Sequence, residues 1–288
     1  MDFIPSLNSG YNLPLIELGT FGGNDAPEKV YHASKCALEC GYRHFDTAYI
    51  YETEEALGKA VLESNVDRKE VFITSKLWQN FHEPQNVRPI FDRSLQNFGI
   101  NYVDLYLIHW PTSFDFHEYE PEDLDEGIRV SAEQVPHIDT WREMEKLVKD
   151  GVARSIGVSN FTIPMLEKLV SECEIPPAQK YCSNTFSPLG NLGYRSNTIK
   201  TVDEPLMKDI GLKYDKTPVK VLLNWGVNRG YSVIPKSVTP SRIKDNLTYF
   251  KMDEKDIRAI TELGLKTPLR TCDPMVLWKE KVDVFGVN

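Results

Sequence analysis

An α/β fold, closed into a (β/α)8 barrel of the TIM type, is what three features of the 288-residue sequence predict. First, short runs of branched and aromatic residues alternate with amphipathic stretches, the pattern of parallel strands covered by helices. Second, polar residues end successive runs about one βα repeat apart. Lys76 follows Asp46 by 30 residues, His109 follows Lys76 by 33, and Asn160 follows His109 by 51. Convergence of several strand ends on one face is how barrel enzymes assemble a site. Third, the fingerprint G-x-G-x-x-G is absent, also from Phe21-Gly22-Gly23 and Gly190-Asn191-Leu192-Gly193, which argues against an open doubly wound sheet.

The elements follow in order. After a short N-terminal hairpin come strands at Leu15–Leu18, Tyr42–Asp46, Val71–Lys76, Val103–His109, Ala153–Val158 and Tyr231–Pro235, with a weaker one near Thr185. Helical patterns lie at Glu55–Glu63, Val87–Phe98, Thr140–Lys149, Pro164–Ser171 and Pro218–Asn228. Pro164 and Pro218 suit a first helical turn, and Gly151 suits a helix end. The longer interval before Asn160 holds a polar insertion, Thr112 to about Val135, expected to form a loop over the mouth of the barrel. Thr267–Asn288, with Pro268, Pro274, Met275 and Trp278, is expected to be a second such loop. Residues 1–288 read as one domain.

Composition narrows the function. The net charge is −9, with 41% apolar and 26% charged residues. That is globular, and too acidic for a nucleic-acid or membrane-surface partner. Met1–Gly10 has no basic segment followed by an apolar run, no stretch reaches membrane-spanning length, and five scattered cysteines read as reduced thiols. A cytoplasmic protein is expected. Cys36 and Cys40 lie four apart on a helix but have no second pair nearby, so no metal site is expected.

Gly41-Tyr-Arg-His-Phe-Asp46-Thr-Ala-Tyr-Ile-Tyr51 is followed by Ile73-Thr-Ser-Lys76-Leu-Trp and Asp104-Leu-Tyr-Leu-Ile-His109-Trp-Pro. Then come Ile156-Gly-Val-Ser159-Asn160-Phe, Phe186-Ser187-Pro-Leu-Gly and Ile234-Pro-Lys236-Ser237-Val-Thr-Pro-Ser-Arg242-Ile-Lys-Asp-Asn246. This series, from about Ile4 to Asn246, resembles the aldo-keto reductases of the aldose and aldehyde reductase type. The resemblance implies a (β/α)8 barrel that reduces carbonyl compounds with NADPH, commonly as a monomer. It implies Asp46, Tyr51, Lys76 and His109 as the catalytic set.

The chemistry of these residues agrees. A carbonyl that receives hydride develops alkoxide charge and needs a proton donor. Free tyrosine, with a pKa of about 10, is too weak an acid, but a nearby ammonium favours tyrosinate, and a carboxylate can hold that ammonium. Asp46, Lys76 and Tyr51 supply this chain, and a neutral His109 can donate a hydrogen bond to the substrate oxygen. Taken singly, the Asp–Lys pair serves equally as a structural ion pair, and His109 as a satisfied core histidine.

Two cations and small donors, Lys236, Ser237, Arg242 and Asn246, stand at a helix start. They suit the 2′-phosphate of NADP, Arg242 and Asn246 sharing a helix face. By resemblance, Thr20, Ser159, Asn160, Ser187 and Leu189 also contact the cofactor, and Phe186 replaces a stacking tyrosine. Phe21, Trp78, Trp110 and Phe114 would line an apolar substrate pocket.

One departure stands out. Asn160 to Ser187 spans 27 residues, one repeat where the family uses two. About 20 residues, carrying the sixth strand and its helix, are expected to be missing between Gln179 and Phe186, leaving the barrel one βα repeat short. Two functions follow: an NADPH-dependent carbonyl reductase, or a catalytically impaired or inactive cofactor-binding relative. A metal-dependent barrel hydrolase would need several strand-end ligands, and His109 stands alone.

Overall fold

The computed structural model describes residues 6–22, 26–116, 129–130, 133–178, 184–185, 189, 201–266 and 284. Five strands form one parallel sheet: β1 (Leu18–Gly19), β2 (His44–Asp46), β3 (Phe72–Leu77), β4 (Leu105–Ile108) and β7 (Ile156–Val158), in the order β1-β2-β3-β4-β7. All six residues of β3 and all four of β4 are buried; β4 reads as an unbroken apolar run, whereas β3 buries Thr74, Ser75 and Lys76 as well. β8 (Asn184–Thr185) and β9 (Ser232–Val233) pair in parallel with each other. The Ile16–Val233 bridge joins that pair to the chain entering β1, with Glu17 N–H donating to the Val233 carbonyl at 2.9 Å and Val233 N–H to Leu15 at 2.8 Å. The seven strands marked by the sequence thus follow one another in spatial order. Leu15 and Ile16 are taken up by this seam, so β1 starts later than the apolar run does.

The helices α1 (Ala26–Cys40), α2 (Glu54–Leu62), α3 (Pro84–Phe98), α4 (His137–Lys149), α5 (Ile163–Glu172), α6 (Pro205–Tyr214), α7 (Pro218–Asn228), α8 (Pro240–Asn246) and α9 (Glu254–Lys266) complete the described fold. Thr162 and Thr217 cap α5 and α7 through their side chains, ahead of prolines in the first turn. The principal core lies between the parallel strands and the helices against them, with Phe45, Ile73, Tyr106, Phe91 and Trp141 at its centre. A smaller core joins α6, α7 and α9 through Met207, Ile210, Val221, Leu222 and Ile260.

An antiparallel Ser6–Asn12 bridge is the expected N-terminal hairpin. The insertion after Thr112 begins as an antiparallel pair, β5 (Ser113–Phe114) with β6 (Arg129–Val130). Beyond β7, Ala178 N–H donates to the Ile156 carbonyl at 2.7 Å, so the chain there runs beside the far edge of β7. α5 buries only Leu169, leaving Ile163 and Val170 exposed, whereas α7 buries six of its 11 residues. Gln179, Phe186, Ser187 and all of Thr267–Asn288 except Val284 lie outside the described residues; Val284 is buried in the principal core.

Candidate active site

In a parallel sheet all strands end on one side, and the site is built there. Asp46 closes β2, Lys76 lies near the end of β3, His109 follows β4, and Ser159 and Asn160 follow β7. Tyr51 ends a single 3-10 turn, Tyr49–Tyr51, which Glu52 closes in the left-handed region. Lys76 Nζ donates to Asp46 Oδ1 at 2.8 Å and to the Thr47 carbonyl at 2.7 Å. The same ammonium stands 5.1 Å from the centre of the Tyr51 ring, and Tyr51 Oη is 3.4 Å from His109 Nε2. The four expected residues meet.

Their electrostatics follow from burial. Burial pushes the Asp46 carboxyl up and the Lys76 ammonium pulls it back; at 2.8 Å the two form an ion pair. Burial first, then the charge of Lys76, holds His109 well below the usual imidazole range, so it is neutral. His109 Nδ1 is buried without a partner among the described residues, as is Trp78 Nε1. Asn160 Nδ2 donates to the His109 carbonyl at 2.8 Å and to Ser159 Oγ at 3.1 Å, locking the ends of β4 and β7 together. Asn160 has φ 63°, a left-handed conformation that asparagine tolerates.

Aromatic rings stand around this point. Phe21 meets Tyr51 at 5.0 Å between ring centres, and Trp78 and Trp110 flank His109 at 5.2 and 6.4 Å. Trp78, Trp110 and Phe114 are buried in the principal core, whereas Phe21 is 52% exposed. Thr20 is buried, its hydroxyl directed to the Asp46 carbonyl and Thr53. Lys236 and Arg242 are exposed, and Ser237 Oγ accepts from Thr239 N–H at 3.1 Å. Asn246, one turn beyond Arg242, is buried instead, so the two differ in exposure although they are four apart. Leu189 is half-buried against both cores.

These residues fit an anionic dinucleotide. A Cβ on Gly22 would stand 3.6 Å from Lys236 Nζ, in ordinary contact, so the lysine lies against the chain just beyond Thr20. Lys236 therefore lies beside the chain that leaves β1, and Arg242 follows it as a second exposed cation on α8. Among the described residues no three His, Cys, Asp or Glu side chains are placed to hold a metal ion.

Sequence reasoning missed two buried polar residues beneath the site, Glu17 and His44. Their signal was available: each falls two residues before a site-facing position, Gly19 and Asp46, and in a strand that spacing means the same face.

The sequence profile of the aldo/keto reductase family matches residues 16–197. The chain belongs to that family. This aldo/keto reductase is 33% identical over 319 aligned positions to a glycerol 2-dehydrogenase (NADP(+)) of Hypocrea jecorina, covering 98% of this chain and 96% of that one. It is 35% identical over 321 positions to an NAD(P)H-dependent D-xylose reductase of Scheffersomyces stipitis, covering 97% and 98%. The aldose reductase of Schistosoma japonicum superposes with a TM-score of 0.83 at 33% identity over 95% of both chains. The fold is accordingly α/β of the (β/α)8 class. An alignment of 319 positions over a chain of 288 leaves at least 31 positions opposite gaps in this aldo/keto reductase.

Proposed function

We propose that this chain, as a single cytoplasmic barrel domain over residues 1–288 and as a monomer, reduces small aldehydes and ketones to alcohols with NADPH. The observation that carries the reading is the Asp46–Lys76–Tyr51–His109 chain of contacts at the ends of three adjacent strands. The relatives named as NADP(+) and NAD(P)H enzymes support the cofactor. When bound, NADPH supplies the hydride. Tyr51 gives its phenolic proton to the carbonyl oxygen, and Lys76 offsets the tyrosinate that remains. Asp46 holds Lys76 in place. Neutral His109 donates from Nε2 to the same oxygen and fixes the carbonyl against Tyr51. Lys236, Ser237, Arg242 and Asn246 would hold the 2′-phosphate. Thr20, Ser159, Asn160, Phe186, Ser187 and Leu189 would hold the rest, and Phe21, Trp78, Trp110 and Phe114 the substrate.

The test is Tyr51→Phe, which keeps the ring and removes the proton donor. Turnover of an aldehyde panel is expected to fall about 10²-fold or more, with NADPH affinity little changed. Turnover near wild type would reject the acid. For the cofactor, Arg242→Ala is expected to weaken NADPH about tenfold or more while NADH binding is barely altered; equal losses would remove Arg242 from the phosphate site.

A second reading, an impaired relative, is favoured by the region beyond β7. Ala178 begins to pair with Ile156, while Asn184–Thr185, only six residues on, pairs with β9. The five residues between them are too few for a strand, a helix and a return strand. Insertion of a βα segment between Gln179 and Lys180 is then expected to raise both thermal stability and turnover. A chain of confirmed mass that melts cooperatively and turns over aldehydes without the insertion supports the first reading.

A further inference from the structure

Directly below the Asp46–Lys76 pair lies a third acid that the proposed reduction does not use. Glu17 is completely buried, and its Oε1 accepts from Ser232 Oγ on β9. Its Oε2 has no hydrogen-bond partner among the described residues and lies 3.2 Å from His44 Nε2 on β2. The protonation of that contact can be worked out. His44 Nδ1 is 2.9 Å from the Pro14 carbonyl oxygen, which only accepts, so Nδ1 carries hydrogen. Burial, reinforced by Lys76 and opposed by the Pro14 bond, lowers the His44 pKa to about 3, so its ring is neutral. Nε2 is therefore a bare lone pair. An ionised Glu17 would set further lone pairs against it in a space closed to water, whereas a protonated Oε2 can share it with Thr74 Oγ1, 3.0 Å away on β3. Burial and the neighbouring Asp46 drive the Glu17 carboxyl well above the carboxylate range, against the pull of Ser232 and Lys76. The groups facing Glu17 are thus Ser232 from β9, His44 and Asp46 from β2, and Thr74 and Lys76 from β3.

We propose that Glu17 is a positioning residue for the reduction: it keeps a proton on Oε2 against His44 Nε2 and thereby leaves the charge of Lys76 to Tyr51. The inference rests on Tyr51 being the proton donor. Asp46 and Lys76 balance each other, and protonated Glu17 adds no charge. Ionised Glu17 would add one negative charge in a buried, poorly screened cluster, where it competes with the developing tyrosinate for the same ammonium. The sign follows: as pH rises through the ionisation of Glu17, reduction slows.

The experiment uses the whole chain, wild type, Glu17→Gln and Ser232→Ala. At neutral pH the infrared difference between wild type and Glu17→Gln is expected to contain the carbonyl stretch of a protonated carboxyl that shifts on deuteration. The ratio of alkaline to neutral turnover is expected to be about tenfold higher in Glu17→Gln than in wild type, the effect of one pKa unit's worth of coupling. Ser232→Ala removes a donor that favours the carboxylate, so its alkaline decline is expected to move to higher pH. Absence of the protonated-carboxyl band, or equal turnover ratios, overturns the proposal. Full turnover by Tyr51→Phe sinks the Tyr51 reading and the coupling with it, whereas a missing infrared band sinks the role of Glu17 alone.

Discussion

β1 through β4 with β7, and the segment from Thr201 to Lys266, meet at the Ile16–Val233 seam but are held together differently. The first region is a continuous parallel ladder whose registers run unbroken from Leu18 to Val158. All four expected catalytic residues belong to it. The second contributes only the two residues of β9 to a sheet and is held by its own small helical core. There, Asn224 and Asn228 of α7 clamp an irregular stretch. Asn224 donates to the Thr248 carbonyl and accepts from Phe250 N–H, both at 2.9 Å. Asn228 does the same with the Phe250 carbonyl at 2.9 Å and Met252 N–H at 3.0 Å. A ladder transmits small shifts in register to every strand end, so precise chemistry suits the first region. Side-chain clamps tolerate local change, which suits a segment whose proposed role is to hold a cofactor phosphate.

The sharpest break of this contrast is Gly58→Ala. In α2 an added Cβ would stand 2.1 Å from the Phe98 carbonyl oxygen at the end of α3, and backbone cannot yield as a side chain does. Forced separation of α2 from α3 is expected to cost about 3 kcal/mol in chemical unfolding. Because α2 follows the Tyr51 turn, turnover is expected to fall as well. Unchanged stability would mean the two helices have slack, and that the first region is not a rigid frame.

Asn224→Ala tests the other side. It strips two partners from the backbone of Thr248 and Phe250, with an expected loss of about 2 kcal/mol. Faster amide exchange is expected in residues 248–252, with β2 to β4 unaffected. Exchange that spreads into the parallel ladder would show that the two regions unfold as one.

What the sequence disclosed follows the same division. Buried parallel strands announce themselves by branched and aromatic residues even where polar ones interrupt, and Tyr42–Asp46 and Val71–Lys76 cover β2 and most of β3. Pro218–Asn228 matches α7 residue for residue because Thr217 and Pro218 mark its start. The asparagine clamps were invisible, since their partners lie 22 to 26 residues away in a stretch without periodicity. Glu17 was hidden for the opposite reason: one charged residue inside an apolar run reads as an interruption until its alternation with Gly19 places it inside. Arg242 and Asn246 were correctly spaced, but spacing alone does not show which of the two enters the core.

The smallest effect is also the most selective. The segment from Thr201 to Lys266 contains no histidine, whereas His44, His82 and His109 all lie in the first region and are all buried. Burial lowers the His82 pKa to about 3, with the neighbouring His137 adding to the shift. A group whose folded pKa is depressed below the unfolded value of about 6.5 is neutral in the fold but protonated in the unfolded chain between the two values. Its contribution is therefore complete above about pH 6.5 and is lost as pH falls toward the folded value, at about 1.4 kcal/mol per pH unit for each such histidine. Glu17 works against His44, because a raised carboxyl pKa makes the folded state hold the extra proton. For His82, whose Nδ1 lies 3.1 Å from Ser113 Oγ, the opposing influence is a backbone hydrogen bond with Leu77 and not a titrating acid, which gives the cleaner reading. Between pH 6 and pH 4, hydrogen exchange is expected to quicken in β2 to β4 before α7 responds. His82→Gln is expected to reduce the pH slope of the unfolding free energy by about the share of one histidine. A loss of protection that begins in α7, where nothing of this kind titrates, would reverse the order of stability assigned to the two regions.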